Sequence, residues 1–582
     1  MDMNKLKMPL KKGLPYFITI VLTYFFLVLI AGINGVNFNI PIDFNWDSTL
    51  FLVNIKSFFA SEWRIFDTIK NSALSAPSGL NMGAFPSADL NLILIVLKAF
   101  AIFKVNFITS INIYFFLTFF LTSIISLYVL KKLSVPNNIA ICASVLYSFM
   151  PYHFLREVKH IVLASYFLIP LMVLALFYLW QKKPLFYKKI DELWRIDLLN
   201  KKAIFVYILL VLTAISSVYY NLFFMFFLLI VGLSASFYHK NYRHFTSSAI
   251  AVVILLFLTF INFLPNIIYI KNNPAENYTQ RSFAQTEYYG LKVPQMLLPI
   301  DNHPLETIAT IKNKYNEGAL YVNESSMASL GFLLSISFVA LLFNFLFLRK
   351  DKFDSFQKLA FLSIASVLLA VSGGFLSYFA FLGLTQLRSC NRISIFIAFF
   401  ALVAVCLFFK QILKKYNNRL SLSLIVFVFI VALFDVASPS YNFEYKQNQI
   451  KNEVYSLLSL VDHIESQSSE KIKVFTLPYL DFPEGRPQYA MYDYELAKPA
   501  VYSSRVHYSY GALKGSYLDN KYKMYSKLNS KDLVEVLKKD GFGGILIDAK
   551  GYYQYPSELL NLSKILGEPY VTSDNVWIYY KL

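Results

Sequence analysis

The chain has 582 residues, of which 56% are hydrophobic and 15% charged, and its mean hydropathy is +0.48. These values exclude a soluble globular protein, because apolar segments of about 18 residues or more recur along the sequence. The net charge of +18 does not indicate nucleic-acid binding. Residues 438–582 contain 17 basic and 17 acidic residues, so the excess lies in the apolar part.

The apolar segments predict a polytopic α-helical membrane protein with about 11 transmembrane helices. The basic start of the chain precedes an apolar run with no small-residue cleavage site, so no cleavable signal peptide is predicted. The pieces 90–103 and 376–387 are too short to span and are predicted to be interfacial or re-entrant helices. Spans are predicted at 14–35, 107–130, 137–150, 161–180, 203–219, 221–238, 246–270, 327–348, 359–373, 393–413 and 419–437.

Basic loops such as "KKLSVPNN", "HKNYRH" and "KKYNNR" alternate with less basic ones, and the positive-inside rule assigns the basic set to the cytoplasm. The membrane module 1–437 then carries two large outer loops, 36–106 and 271–326. The segment 438–582 follows on the outer face. Its strand-like runs "KIKVFTLPYL" and "GGILIDAKGYY" and its helix-like runs predict a small extracytoplasmic α/β domain.

The first outer loop contains several carboxylates. Asp47 lies in "NWDSTLF", which leads into an apolar, aromatic helix-like run at the membrane boundary. A carboxylate is costly there unless it faces a wet cavity or a partner, so Asp47 is a candidate catalytic residue. Glu62 and Asp89 are further candidates for substrate binding, whereas Asp43 is interpreted as an ordinary loop acid.

The loop "SFMPYHFLREVKHIVLASYF" contains the candidates His153, Arg156, Glu157 and His160. If this loop is helical, Arg156 and His160 share a face, and a guanidinium group facing a cavity suits a phosphate. The alternative is a membrane-interface helix with snorkelling cations and an Arg–Glu pair.

Other outer segments add candidate substrate-binding residues. Arg388 and Arg392 are four residues apart, and two like charges on one helix face repel unless an anion lies between them. Long loops without periodicity often form lids or binding loops, which makes the second outer loop a candidate. The remaining candidates are Tyr220 in "SSVYYNLFF", which is equally typical of an aromatic belt, and Arg281, Glu287, His303 and Glu324 in the second outer loop.

No phosphate-binding P-loop, dinucleotide fingerprint or HExxH zinc motif occurs in the sequence. The missing nucleotide loop argues against a nucleotide sugar or ATP as the substrate. No cofactor is predicted; a divalent metal is conceivable but not indicated by any ligand pattern.

Several strings resemble those of a known family: "PYHFLREVKHIVLASYF", "EYYGLKVPQMLLPIDNH", "LRSCNRISIF" and "SYGALKGSYLDN" followed by "GFGGILIDAKGYY". With an outer-loop Asp, about eleven spans and an outer C-terminal domain, the chain resembles the GT-C superfamily of integral-membrane glycosyltransferases. It resembles in particular bacterial sugar-translocase-like proteins that decorate envelope glycans. The resemblance implies transfer of a sugar from a polyprenyl-phosphate carrier, with inversion, on the outer face of the bacterial inner membrane.

By the same resemblance, Asp47 is the general base and Arg156, Arg388 and Arg392 hold the lipid phosphate. Whether Asp47 acts alone or with Asp89 or Glu62 is left open, because the paired-acid motif common in that family is absent here. The implied partners are an envelope glycan or lipid acceptor, membrane lipid, a small flippase and a carrier-charging glycosyltransferase. The alternative functions are a flippase or transporter of lipid-linked sugars, and a non-catalytic envelope scaffold.

Overall fold

A computed structural model describes residues 3–60, 68–83, 88–274, 281–346, 354–416, 419–553 and 557–582. Within these ranges, seven helices are long and apolar enough to cross a membrane. They are Lys12–Ala31, Phe107–Lys132, Asn137–Arg156, Ile161–Leu179, Val218–His239, Arg243–Asn272 and Cys390–Lys415. Three of them are not regular throughout. Asn137–Arg156 is interrupted between Ser148 and Pro151, and both Ile161–Leu179 and Cys390–Lys415 contain a 3-10 segment near their start.

Four shorter helices occupy the other predicted positions: Lys201–Ala214, Gly331–Leu346, Ser355–Ala370 and Arg419–Asp435. A helix therefore lies at each predicted span, and the polytopic helical fold is confirmed. Asn91–Ile102 and Phe375–Phe381 lie at the two pieces predicted to be interfacial. The further helices of the outer segments are Asp47–Ala60, Ala284–Tyr288, Val293–Leu297 and Glu306–Gly318.

Successive membrane helices run in opposite directions, so the segments that connect them lie at two opposite ends of the bundle. One end collects the basic turns around Lys132, Lys240 and Lys415, together with a hairpin of strands β3 (Tyr187–Ile190) and β4 (Leu193–Ile196). The opposite end collects Asp47–Ala60, the first outer loop with its short strands β1 (Lys70–Asn71) and β2 (Leu80–Asn81), and the C-terminal segment.

The C-terminal segment contains helices and a sheet, as the predicted α/β character requires, and the sheet has five strands. Its strands are β5 (Ile472–Leu477), β6 (Val506–Tyr508), β7 (Gly544–Asp548), β8 (Tyr570–Val571) and β9 (Trp577–Lys581), in the order β6-β5-β7-β9-β8. The strands β6, β5 and β7 are parallel, and β9 runs antiparallel to both of its neighbours, β7 and β8. The helices of this segment are Phe443–Ser466, Lys498–Tyr502, Tyr517–Tyr525, Ser530–Lys539 and Ser557–Leu566.

The two faces of the sheet pack against different partners, because strand residues alternate between faces. Phe475, Ile545 and Ile547 pack with the buried side of Ser530–Lys539. Val474 and Leu546 belong instead to the apolar core that continues into the membrane helices. The first outer loop also adds to the sheet edge, because the Ala76 and Ser75 amides donate to the carbonyls of Tyr508 and Tyr510 at 2.9 and 2.7 Å. The sheet and the first outer loop therefore form one packed unit.

Candidate active site

A cavity of about 240 Å³ opens between the C-terminal segment and the ends of the membrane helices that lie opposite the basic turns. Its wall combines polar and apolar side chains from five separate parts of the chain. The polar lining residues are Asp47, Asn54, Asp89, Lys159, His160, Tyr219, Arg392 and Glu484, and the apolar ones are Leu50, Phe51, Ile69, Met82, Leu90, Ile161, Val162 and Leu163.

Asp47 is the first residue of Asp47–Ala60, and about half of its side-chain surface is exposed toward the cavity. Burial first, and then the negative charges of Asp493, Glu484 and Glu324, raise the pKa of Asp47 to about 6. Arg392 acts in the opposite direction. A carboxylate with a pKa closer to neutrality is a stronger base than an ordinary aspartate.

His160 lies beside Asp47, with Nδ1 at 3.8 Å from the Asp47 carboxylate. Burial, together with the charges of Arg156 and Arg392, lowers the pKa of His160 to about 3. The imidazole is therefore neutral at pH 7, and it contacts Asp47 as a dipole rather than as a cation.

Asp89 is the second aspartate in the cavity wall, in the 3-10 turn Ala88–Leu90. Burial raises the pKa of Asp89 to about 6, against the attraction of Arg392. The Asn262 side chain fixes this turn from both sides: it donates to the Ala88 carbonyl at 2.8 Å and accepts from Asn91 at 2.7 Å.

Two of the three predicted phosphate-binding guanidinium groups share a carboxylate partner. Arg156 Nη1 lies 2.7 Å from the Glu324 carboxylate, and Arg392 Nη2 lies 3.5 Å from its other oxygen. Burial alone would raise the pKa of Glu324, but the two guanidinium groups outweigh it and hold that pKa well below its usual range. The three side chains carry one net positive charge, and Arg392 is the member that lines the cavity.

Arg156 does not face the cavity, contrary to the prediction. Its side chain is only 1% exposed, and it also donates to the Asn391 side chain at 3.3 Å and lies over the Tyr152 ring. Arg392 packs against the ring of Tyr219, with its guanidinium carbon 4.1 Å from the ring centre. Glu324, predicted to contact the substrate, is instead the counter-ion of both arginines.

The prediction that Arg388 and Arg392 share a helix face is wrong, because the 3-10 turn leading into the helix begins only at Cys390. Arg388 lies before it, donates to Gln285 at 2.8 Å and is 4.0 Å from Glu484. Arg281 binds the same Glu484 carboxylate with both terminal nitrogens, at 2.6 and 3.0 Å. The two arginines therefore bind Glu484, and neither lines the cavity.

Five more predicted site residues lie outside the cavity wall. His153 is fully buried, stacks on Phe119 and bonds Thr118, so it is a core residue. Tyr220 is also buried and donates to the Leu163 carbonyl, whereas its neighbour Tyr219 lines the cavity.

Glu157 is nine-tenths buried and pairs with Lys446 and Lys159. His303 lies 3.5 Å from Asp435, at the end of a membrane helix. Glu287 is exposed on a short helix away from the cavity wall, and Glu62 lies outside the described residues.

Sequence reasoning missed Lys159 and other polar residues of the cavity, of which the most distant from Asp47 along the chain is Glu484. It lies in the loop "DFPEGRP" after β5, 437 positions beyond Asp47, and no local pattern distinguishes this acid from its neighbours. Within the described ranges, no group of three or more His, Cys, Asp or Glu side chains converges as a metal site.

No protein-family model matches the sequence, and a search of curated proteins finds no match. Solved structures do match. The arabinofuranosyltransferase AftD from Mycobacteria aligns with 98% of this chain at a TM-score of 0.50 and 11% identity, and the chain spans 41% of AftD. The chain has a GT-C fold. The resemblance to this superfamily drawn from the sequence is thus confirmed for the fold.

Two further matches are structures of the Archaeoglobus fulgidus oligosaccharyltransferase, each at 11% identity. One, in complex with Zn and sulfate, aligns with 97% of this chain and 73% of its own, with a TM-score of 0.48. The other, AglB with an inhibitory peptide and a dolichol-phosphate, aligns with 98% of this chain and 74% of its own, with a TM-score of 0.47.

Proposed function

We propose that this protein is a glycosyltransferase that moves a sugar from a polyprenyl-phosphate carrier to a hydroxyl of an envelope glycan or lipid. The observation that carries the proposal is the shared cavity of Asp47 and Arg392 at one end of a GT-C fold. A base and a cation are the two groups that sugar transfer from a phosphate requires.

The reaction that fits these groups is a single displacement with inversion. The Asp47 carboxylate takes the proton of the acceptor hydroxyl as the hydroxyl oxygen bonds to the anomeric carbon. The bond between that carbon and the phosphate oxygen breaks, and the electron pair leaves with the lipid phosphate. Arg392 and Lys159 stabilise the developing negative charge, since both line the cavity.

The apolar part of the wall supports a lipid-linked donor. Leu50, Phe51 and the run Ile161–Leu163 line the same cavity as the charged groups. A prenyl chain packs on such side chains at the membrane boundary, while the phosphate and the sugar reach the polar groups. The bacterial inner membrane, an outward-facing site, a small flippase and a carrier-charging enzyme belong to this proposal by analogy with the fold.

The test uses the full chain in lipid nanodiscs with a panel of radiolabelled polyprenyl-phosphate sugars. We expect the wild type to release polyprenyl phosphate and to transfer the label to a glycan or lipid acceptor. Asp47→Asn removes the base without changing the size of the side chain and is expected to lower the rate at least about 100-fold. Asp301→Asn is the matched control, because Asp301 lies on the same side but outside the cavity wall.

Wild-type activity in Asp47→Asn would remove this residue from the mechanism. Translocation of intact donor without cleavage by the wild type would instead favour the flippase alternative. The two results are separable because one measures bond cleavage and the other the sidedness of the lipid.

A further inference from the structure

The backbone that carries Asp47 is held by the C-terminal segment. Lys498, on the helix Lys498–Tyr502, is fully buried and donates to the Asn45 side chain at 2.9 Å. Asn45 is two residues before Asp47, although it is 453 positions from Lys498 along the chain.

The bonds of Lys498 use all of its donors. Its ammonium group also donates to Glu453 at 2.7 Å and to Glu495 at 2.9 Å, and an ammonium has three N–H groups. Lys550 binds the same two carboxylates at 3.2 and 2.8 Å, so the four charges sum to zero. Lys498 and Glu495 at the centre of this network are fully buried and bonded to each other, which holds them rigidly, and Lys498 reaches the membrane module through Asn45.

The Asn45 turn needs such support because its backbone is strained. Trp46 has a φ of +56°, in the left-handed region that a residue with a side chain adopts at a cost. The Trp46 ring lies 5.2 Å from the Tyr492 ring of the C-terminal segment. The backbone N–H of Asn45 donates to the Asp43 carboxylate at 3.2 Å, and the Ser48 hydroxyl donates to the same carboxylate at 2.6 Å. The conformation that presents Asp47 is thus maintained by contacts on both sides of the turn.

We propose that Lys498 is a positioning residue, which fixes the Asn45 side chain and thereby the direction in which Asp47 faces the cavity. The proposal rests on the function proposed above, in which Asp47 is the base. It assigns the C-terminal segment a part in building the site. A base displaced by about 1 Å loses much of its effect, so this bond is expected to matter for the rate and not for donor binding.

The test replaces Asn45 and leaves Lys498 and its two carboxylate partners in place. Asn45→Ala removes the acceptor, whereas Asn45→Asp keeps an oxygen for the ammonium, loses the amide donors and adds a negative charge that pairs with Lys498. Asn39→Ala is the matched control, because Asn39 lies on the same outer loop and bonds Thr109 instead. Full-length variants in nanodiscs are compared by hydrogen–deuterium exchange over residues 41–52 and by steady-state kinetics at pH 8, where Asp47 is ionised in each.

We expect faster exchange over residues 43–50 in Asn45→Ala, with unchanged exchange in β5 and β7. The kcat is expected to fall about 10- to 100-fold while KM for the donor stays within about twofold. Asn45→Asp and Asn39→Ala are expected to remain within about threefold of wild type in both measurements. Wild-type exchange in Asn45→Ala, or failure of Asn45→Asp to restore it, would overturn the proposal. Exchange needs no substrate, so it decides the positioning role even if the wild type transfers no sugar.

Discussion

The raised pKa of the Asp47 carboxylate comes first from burial and then from the charges placed around it. Asp493 and Glu484 of the C-terminal segment are the strongest of the negative neighbours that raise its pKa, and Arg392 is the opposing cation. The acids favour the protonated form, and the guanidinium favours the ionised form. The resulting pKa of about 6 leaves Asp47 mostly ionised at pH 7 and yet a better proton acceptor than a solvated aspartate.

Replacing Asp493 by Asn is therefore expected to shift the pH profile of transfer. In the proposed mechanism Asp47 acts in its ionised form, so kcat/KM is expected to fall as the pH drops below about 6. Removal of the Asp493 charge lowers the pKa of Asp47, and the acidic limb moves to lower pH by roughly half a unit, about 0.7 kcal/mol. The pH dependence of kcat/KM between pH 4.5 and 8 measures this shift. Glu317→Gln removes an exposed acid elsewhere and is expected to leave the acidic limb of the pH profile in place. If the acidic limb of Asp493→Asn stays in place or moves to higher pH, the charge of Asp493 does not raise the pKa of Asp47.

At the scale of single elements, buried asparagines join the long helix Arg243–Asn272 to the first outer loop. Asn262 bonds the Ala88 carbonyl, the Asn91 side chain and the Ala214 carbonyl, and Asn266 donates to the Gly83 carbonyl at 2.7 Å. Polar side chains within an apolar helix need such partners. Here the partners lie on both sides of Asp89, so this helix fixes the second aspartate of the cavity.

Asn262→Leu is expected to destabilise the protein and to loosen the Asp89 turn. The change leaves the buried Asn91 side chain and two carbonyls without this partner, which costs about 1–3 kcal/mol for each unsatisfied group. Thermal unfolding in detergent and hydrogen exchange over residues 88–93 measure the two effects. Asn344→Leu is the control, because Asn344 is exposed on another apolar helix. Equal melting temperatures and equal exchange for the two variants would show that Asn262 does not hold the turn.

At the scale of the whole molecule, local patterns predicted the helices, and long-range contacts decided the site. Runs of apolar residues place a helix at each expected span because lipid exposure and length act locally. The partner of Arg156 is 168 positions away, and the partner of Arg281 is 203 positions away. No periodicity encodes such pairs. The inference from the spacing of Arg388 and Arg392 failed for a related reason: four-residue spacing implies a shared face only inside a helix, and Arg388 precedes it.

The candidate site residues divide into those that line the cavity and those that lie in the apolar core. One cavity is lined by Asp47, Asp89, His160 and Arg392, as their positions at the membrane boundary suggested. By contrast, His153 and Tyr220 are core residues. Sequence cannot separate these groups, because an aromatic or imidazole ring at a helix end suits either a core or a cavity. The contribution of the C-terminal segment, through Glu484, was not predictable from any motif.

The arrangement of the whole chain also predicts its sidedness. The cavity and the C-terminal sheet lie at the end opposite the basic turns, and basic turns stay in the cytoplasm. A cysteine at the exposed Ser469 is expected to react with a membrane-impermeant maleimide in intact spheroplasts. A cysteine at the exposed Lys183 is expected to react only after lysis.

The unchanged chain is the background for this measurement, because its three native cysteines are buried or half-buried. Gel analysis of maleimide labelling before and after lysis gives the result for each variant. Labelling of Lys183→Cys but not Ser469→Cys in intact spheroplasts would place the cavity in the cytoplasm. A cytoplasmic cavity would be out of reach of envelope glycans on the outer face, so the reversed pattern would also exclude the proposed acceptor.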